Sequence, residues 1–514
     1  VAQFNYPAWN LIQLARESEK PLYEQIFAQF RDSIMEGRLA RGTRLPPSRM
    51  LARELSLARN TVIQSYDKLE AEGYVRRIRG SGTFVDRVLP EDHRVPVVQP
   101  ALGTERSVPA LSARAGRLID LGLPPERSET LDLSPGVPAL DEFPYEVFGQ
   151  IAARHWRSRA LSQTGYGSTS HGSTSHGSTS HGASLTAQIA TYLAETRGVT
   201  CQPGQIIVVG STLQTAALVA HALLDPGDEV IVEDPGHVTQ LATFSLCGLK
   251  TTAVPVDAQG LDAARIPRDT GGGPAARLIV VTPVEQFPFG CSMPLARRRA
   301  VLDWAHAHGA WVMEDDFNSE IRWSGQAQPP LFAEDRHGRV IYTSSFNRAL
   351  APGLRLAYLV VPPDLVEAFT LAQRALSHYA PQPDQALVAA FMREGHLAAH
   401  LRRMRAIYRE RSLLLADCLQ QRLGESFAIP HVTAGLHMTI HPNRPFDDIA
   451  VASALSRRGF DCPPLSLYCQ GPVRHGLILG FGNTRTERIP ARAATVADVI
   501  AELSARPGEA RAAR

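Results

Sequence analysis

Apolar residues recur at Leu22, Tyr23, Ile26, Phe27, Phe30 and Ile34. That helical spacing of a one-sided stripe predicts a helix over about 21–36, ending near Gly37. Pro46-Pro47-Ser48 then opens a short helix, with Ser48 as N-cap and Leu51 and Leu55 turned inward. A tight connection through Leu57 leads to a third helix over about 59–72. Val62, Tyr66 and Leu69 form its buried face, and Arg59, Asn60, Thr61, Gln64 and Lys68 its polar one. A short helix, a turn and a helix with a polar N-terminal face is the helix-turn-helix plan, whose second helix puts its first residues into the major groove. Two short strands follow at 74–79 and 83–85, turned by Gly80-Ser81-Gly82 and lined by Arg76, Arg77 and Arg79.

The pattern then changes. From about 88 to 130 periodicity is lost and prolines accumulate at 90, 96, 100, 109, 124 and 125, which reads as a linker. Between 131 and 380, apolar runs at 206–209, 229–232, 278–281, 311–313 and 340–342 alternate with amphipathic stretches. This is the α/β signature of a mostly parallel sheet. Past 380, long helices near 384–420 and short strands at 436–440 and 477–479 predict a smaller α+β domain. The expected organisation is a head at 15–87, a linker at 88–130, a large domain at 131–380 and a small domain at 381–505.

Composition sharpens this picture. A chain of 514 residues suits two or three domains, and 44% apolar with 20% charged residues reads as globular. The 53 basic and 51 acidic residues nearly balance, but unevenly along the chain: residues 1–90 hold 14 Lys/Arg against 10 Asp/Glu. Within 38–59, the arginines at 38, 41, 44, 49, 53 and 59 meet a single acid, Glu54. A basic head on a neutral body points to a polyanion partner. No apolar run reaches membrane-span length and the N-terminus lacks a signal-peptide layout, so no membrane association is expected. The six cysteines are scattered without a CxxC pair, which fits a reduced, cytoplasmic setting better than disulfides or zinc. Gly-Ser-Thr-Ser-His occurs three times in tandem over 167–181. Histidines spaced by five in a Gly/Ser loop do not preorganise metal ligands, so the repeat reads as duplication in a tolerant loop.

One count matters for chemistry. Only three of the 53 basic residues are lysines, namely Lys20, Lys68 and Lys250. Any mechanism that needs a lysine amine after residue 250 is therefore excluded. On a surface, arginine substitutes for lysine at little cost. In an active site it does not, because a guanidinium stays protonated and cannot act as a free amine.

Leu45-Pro46-Pro47-Ser48-Arg49-x-Leu51-Ala52, Arg59-x-Thr61-Val62, Tyr66-x-x-Leu69, Glu72-Gly73-Tyr74 and Gly80-x-Gly82-Thr83-Phe84-Val85 resemble the winged helix of GntR-family transcription regulators. The resemblance implies that Arg44, Ser48, Arg49, Arg59, Asn60, Thr61 and Gly82 form the surface that binds double-stranded DNA. By geometry the arginines either clamp phosphates or read guanine edges, and both roles stay open. Ala58 departs from the family, which usually has a serine capping the recognition helix; the loss should cost about 1 kcal/mol of helix stability.

Farther on, Asp225-Pro226-Gly227-Asp228, Glu233-Asp234-Pro235-Gly236, Gln286-Phe287-Pro288-x-Gly290, Glu314-Asp315-Asp316-Phe317 and Leu350-Ala351-Pro352-Gly353-Leu354-Arg355 resemble fold-type I aminotransferases. With the winged helix in front, the chain is similar to MocR-type regulators. The resemblance implies a fold-type I pyridoxal phosphate transferase-like α/β body with a smaller C-terminal domain. In that family the cofactor is held as a Schiff base by a lysine in a Ser-Lys-x-Leu-x-Pro-Gly-x-Arg stretch, and here Arg348 stands in the lysine's place. The resemblance further assigns Asp315 to the pyridine nitrogen, Arg355 and the Ser211–Gln214 loop to the phosphate, and Gln286 to the ring. Phe317 replaces a ring-contacting tyrosine, His237 replaces the stacking aromatic, and Thr212 stands where glycine is preferred. A β-branched residue at 212 would resist unusual backbone angles.

The expected function is thus a DNA-binding transcriptional regulator, expected to be a homodimer. Its aminotransferase-like body has no catalytic residue and no covalent cofactor, and its charged cleft suits an anionic small-molecule effector. The alternatives are a pyridoxal phosphate-dependent enzyme, or a noncovalent sensor of that cofactor, fused to a DNA-binding module.

Overall fold

The computed structural model of the protein describes residues 12–15, 18, 20–86, 88–89, 111–121, 131–158, 184–267, 276–325, 328–377 and 380–504. The tandem Gly-Ser-Thr-Ser-His segment and most of the proline-rich stretch lie outside these residues. The chain divides into two compact units, Val1–Pro109 and Ala110–Arg514, here the head and the body.

In the head, α1 (Leu22–Met35), α2 (Ser48–Glu54) and α3 (Arg59–Ala71) precede a hairpin of β1 (Val75–Ile78) and β2 (Gly82–Val85). The α1 stripe Ile26, Phe30 and Ile34 closes on Leu45, Leu51, Val62 and Leu69, all buried. Ser56 at φ 54° makes the sharp bend between α2 and α3, and Ala58 stands at the α3 N-cap with no side-chain cap bond. The expectation for Ser48 is corrected. Pro47 is the cap, at φ −58°, and Ser48 already lies in the first turn. The reason is local: the Pro47 carbonyl accepts from the N–H groups of Met50 and Leu51, and the proline ring presets the entry angle. The hairpin pairs Val75 with Val85 and Ile78 with Gly82, and Arg44 bridges to Phe84 beside it.

The body opens with α4 (Ala113–Asp120), α5 (Tyr145–Arg157) and α6 (Leu185–Arg197). There follow β3 (Ile206–Val209), α7 (Thr212–Leu223), β4 (Glu229–Asp234), α8 (Val238–Leu246), β5 (Lys250–Asp257), β6 (Gly260–Leu261) and β7 (Leu278–Val281). Then come α9 (Leu295–His308), β8 (Trp311–Asp315), α10 (Leu331–Glu334), β9 (Val340–Ser345), β10 (Ala357–Val360), α11 (Val366–Leu376), α12 (Gln382–Arg393) and α13 (His396–Leu423). The C-terminal part holds β11 (Phe427–Ala428), β12 (His437–Pro442), α14 (Asp448–Arg457), β13 (Leu477–Gly480) and α15 (Ile489–Ser504).

Eight strands form one sheet in the order β3-β10-β9-β8-β7-β4-β5-β6. The pairs β9–β8, β8–β7, β7–β4 and β4–β5 are parallel, whereas β10 runs antiparallel to both β3 and β9. The sheet is therefore mixed. Three of its strands were not among the expected apolar runs: β5, which opens Lys250-Thr251-Thr252, the two-residue β6, and β10. Strand alternation splits the core into two layers. Val230, Val232, Met313 and Ile341 pack with Leu218, Leu241 and Phe369 of α7, α8 and α11. Their neighbours Ile231, Val312 and Val340 pack with Val301 and Trp304 of α9.

A three-stranded antiparallel sheet, β11-β12-β13, lies with α13, α14 and α15 in the C-terminal part. Residues 131–142, expected at the start of the large domain, run here: Gly480 N–H donates to the Leu133 carbonyl at 2.7 Å, and Ala139 N–H to the Tyr408 hydroxyl at 3.0 Å. Within the stretch read as a linker, α4 is capped by Ser112, whose Oγ accepts from Ala115 N–H at 3.2 Å, and it packs on α8. No helix among the described residues is long and apolar enough to cross a membrane, and no disulfide forms among them.

One buried ion pair fixes α6 to the end of β8. Arg197, 7% exposed, donates to Asp316, 1% exposed, at 2.7 and 3.0 Å, and the Tyr342 hydroxyl donates to the same oxygen at 2.7 Å. Removing one member strands the other charge in the interior. Arg197→Met is expected to cost about 3–5 kcal/mol in urea denaturation of the full chain; a loss under about 1 kcal/mol would show that the pair does not hold this junction.

Candidate functional site

The head carries an arginine-rich edge. Arg44, Arg49, Arg59 and Asn60 are exposed, while Ser48, Thr61 and Gly82 are half-buried. Arg59 Nε reaches Ser48 Oγ at 3.5 Å, tying the start of α3 to the start of α2. Arg44 lies over the Phe84 ring at 6.0 Å. A Cβ at Gly82, φ 122°, would sit 2.8 Å from Arg44 Nε, so only glycine allows this approach. Among the described residues no acid pairs with Arg44, Arg49 or Arg59. Arg77 differs, being held by Asp67 and Glu70, which takes one of the three wing arginines out of use.

In the body, the candidate residues follow the C-terminal ends of the parallel strands. The β4 end supplies Glu233 and, after the turn, His237; the β7 end supplies Gln286 and Phe287; β8 ends in Asp315; β9 runs on to Arg348. Loops outside these ends are where open α/β sheets place their ligands. Asp315 Oδ2 accepts from Gln240 Nε2 at 2.8 Å, while its Oδ1 is buried without a partner. Burial pushes the Asp315 carboxyl up to about 6, against the opposing charge of Arg348. The Arg348 guanidinium lies 4.0 Å over the Phe317 ring. Gly136, at φ 75°, makes room for it: a Cβ there would stand 2.8 Å from an Arg348 Nη. Burial brings Arg348 down to about 10, so it remains a cation at neutral pH.

Aromatic rings fill the space beside it. His237 stacks on Phe287 at 4.3 Å and 10°, and meets Phe317 edge-on at 5.6 Å. Phe287 also touches His437 at 5.2 Å and Tyr468 at 5.1 Å. Burial first, then the Arg348 charge, holds the His237 imidazole down at about 3 and that of His437 at about 4. Both rings are therefore neutral in neutral solution.

The structure thus gathers Asp315, Phe317, His237 and Arg348 into one cleft. Gln286 sits behind it, its amide donating to the Pro235 carbonyl at 2.9 Å and to Glu233 at 3.3 Å, its oxygen accepting from Phe289 N–H. Its amide holds a turn. At the other end of the sheet, the β3–β10 register sets Val209 opposite Ala357 and so brings Ser211 near Arg355. Ser211 caps α7 through Gln214 N–H at 3.1 Å, and the Gln214 side chain bonds Gly210 N–H and the Ser377 hydroxyl. Thr212 is simply the first residue of α7, so the backbone strain expected there does not arise. Arg355 is exposed, with φ 48°. Sequence reasoning missed Gln240, Phe287, His437 and Gly136. Gln240 was within reach, three residues after His237 on one helix face; the others come together only through the sheet and the second domain.

Comparison with known proteins follows this division. A family model described as "Bacterial regulatory proteins, gntR family" matches residues 22–85, and one described as "Aminotransferase class I and II" matches 148–459. The chain is similar to the probable rhizopine catabolism regulatory protein MocR of Rhizobium meliloti, at 35% identity over 92% of each chain. It is also similar to the HTH-type pyridoxine biosynthesis transcriptional regulator PdxR of Corynebacterium glutamicum, at 29% identity over 93% of this chain and 95% of that one. Among solved structures, an archaeal alanine:glyoxylate aminotransferase aligns with a TM-score of 0.67 at 23% identity, covering 76% of this chain and 98% of its own. Pyrococcus horikoshii kynurenine aminotransferase, in complex with PMP, aligns with 0.65 at 22% identity, covering 77% and 95%. At these identities the structures speak for the fold.

The neutral histidines give a pH test. A histidine whose folded value is depressed binds fewer protons in the native than in the unfolded state at mildly acid pH, so stability falls as pH drops below about 6.5. Relative to His437→Gln, the wild type should lose on the order of 1–2 kcal/mol between about pH 7 and pH 5. Equal pH slopes for the two proteins would contradict a neutral, buried His437.

Proposed function

The chain belongs to the MocR-like regulators, a gntR-type head on an aminotransferase class I and II body, and we propose that it binds operator DNA through the head while its body no longer carries out transamination. It is an HTH-type transcriptional regulator of the MocR/GntR kind. The observation that carries the DNA reading is the exposed edge of Arg44, Arg49, Arg59 and Asn60, whose arginines pair with no acid among the described residues. Helix-turn-helix readers engage paired half-sites, so the working unit is taken as a homodimer.

For the body, the test is whether its residues fit pyridoxal phosphate. The free Asp315 Oδ1 suits a pyridine nitrogen, and Ser345 Oγ, buried without a partner, suits a phosphate oxygen. The centre does not suit the cofactor. Arg348 has no amine to condense with an aldehyde, and no lysine follows Lys250. Phe287 already lies face to face on His237 at 4.3 Å, where a stacked pyridine would have to go. The residues present do not fit the cofactor as aminotransferases hold it. The Arg348 guanidinium, without an ion-pair partner among the described residues, instead favours an anionic effector in the cleft.

Duplexes selected from a random library should bind the full chain with an affinity that falls steeply with salt, since phosphate contacts release counterions. Arg49→Ala and Arg59→Ala should each weaken binding by about tenfold or more. Each should also either reduce the salt slope by about 1 or relax preference at one base pair, according to whether that arginine meets phosphate or base. Fluorescence anisotropy reads both effects. Salt-independent binding, or variants indistinguishable from wild type, would overturn the reading.

A further inference from the structure

At the end of β8, adjacent acids turn to opposite sides. Asp315 turns to Gln240 on α8, and Asp316 turns to Arg197 on α6. On the α6 side lies a cavity of about 310 Å3, lined by Tyr192, Ser319, Glu320, Trp323 and Arg405 with Arg197 and Arg322 at its wall. Its volume is at the lower end for small-molecule sites.

The charges around it are unequally satisfied. Arg197 is engaged by Asp316 at 2.7 Å, and Arg322 by Glu285 at 2.9 Å. Arg405 donates only its Nε, to the Glu320 backbone carbonyl at 2.8 Å, leaving both terminal nitrogens of its fork unused among the described residues. Glu320 is 7% exposed, and no side chain among the described residues donates to its carboxylate; burial, then the Asp316 charge, raises it to about 7 against Arg197 and Arg405. Ser319 Oγ is buried and unpartnered beside it. The two side-chain charges are held on one wall by the Arg405–Glu320 backbone contact, but they do not meet as an ion pair.

The Glu320 carboxylate and the free Arg405 fork both line the cavity, and no described residue closes them off as an ion pair. A simple anion would satisfy Arg405 and repel Glu320; a simple cation would do the reverse. A ligand carrying both charges a few ångströms apart relieves both together. We propose that this cavity is a second effector site, separate from the cleft of Asp315 and Arg348, that binds a small zwitterion of the α-amino acid type. The ligand carboxylate takes the free fork of Arg405, its ammonium takes the Glu320 carboxylate, and its side chain runs along Tyr192 and Trp323. Ser319 Oγ supplies a further hydrogen bond.

Isothermal titration of the full chain with each standard L-amino acid tests the proposal, followed by the N-acetyl and methyl ester forms of any that binds. At least one amino acid should bind with a Kd below about 1 mM. Removing either of its charges should weaken it by about tenfold or more, as should Glu320→Gln or Arg405→Gln, while Arg348→Gln leaves binding unchanged. Glu320→Asp and Arg405→Lys keep the charge and should retain part of the affinity, which separates a lost contact from a misfolded chain. No binding by any amino acid at about 10 mM would overturn the proposal. So would binding that survives Glu320→Gln and Arg405→Gln, or that disappears only in Arg348→Gln, since that ligand would sit in the cleft.

Discussion

A guanidinium enclosed in the cleft at the ends of β4, β7, β8 and β9 sets the character of the body. Arg348 lies over the Phe317 ring and against Gly136, and no carboxylate closes on it as an ion pair among the described residues. Its neighbours adjust to that charge. It opposes the rise of the Asp315 carboxyl, and it adds to the burial that keeps His237 and His437 neutral. Gly136 must remain glycine both for its positive φ and for the guanidinium beside it. Replacing such a group with a lysine would change several local balances at once, which is why an arginine here is not a conservative exchange.

The rest of the body is built as a stable fold in its own right. Two apolar layers clamp the sheet, the Arg197–Asp316–Tyr342 knot ties its central strands β8 and β9 to α6, and Asp234 accepts from the N–H groups of Gln470 and Gly471 at 2.8 and 2.9 Å to hold the C-terminal part against β4. None of these devices depends on a cofactor. A scaffold whose packing rests on such devices is suited to sensing and to assembly, and fold alone does not impose chemistry. The head works on different terms. It is small and closed around α1, and the arginines of its free edge are presented by a helix start and a wing.

Much of this was legible in the sequence because it is local. The α1 stripe, the apolar runs of β3, β7 and β9 and the Gly80–Gly82 turn announce themselves by spacing. So does the absence of any lysine beyond Lys250, which carries the chemical argument. What was not legible depends on partners distant in the chain. The short β10 is a strand because it fits between β3 and β9. Phe287 meets His437 across 150 residues, and Gly136 meets Arg348 across more than two hundred. Ser48 was misjudged as the cap of α2 for the opposite reason: its neighbour Pro47 takes that place. The helix at 113–120 was hidden by the prolines on both sides of it.

The central claim is that the body holds no amine placed in the cleft to bond pyridoxal phosphate, since its lysine, Lys250, is exposed at the start of β5. The direct measurement is to incubate the full chain with the cofactor, reduce with borohydride, digest and map the phosphopyridoxyl group by mass spectrometry. The account predicts no stoichiometric adduct on the body in wild type, and a new one at position 348 in Arg348→Lys if Phe287 is also cut back to alanine. A stoichiometric, borohydride-trapped adduct on the wild-type body would contradict it.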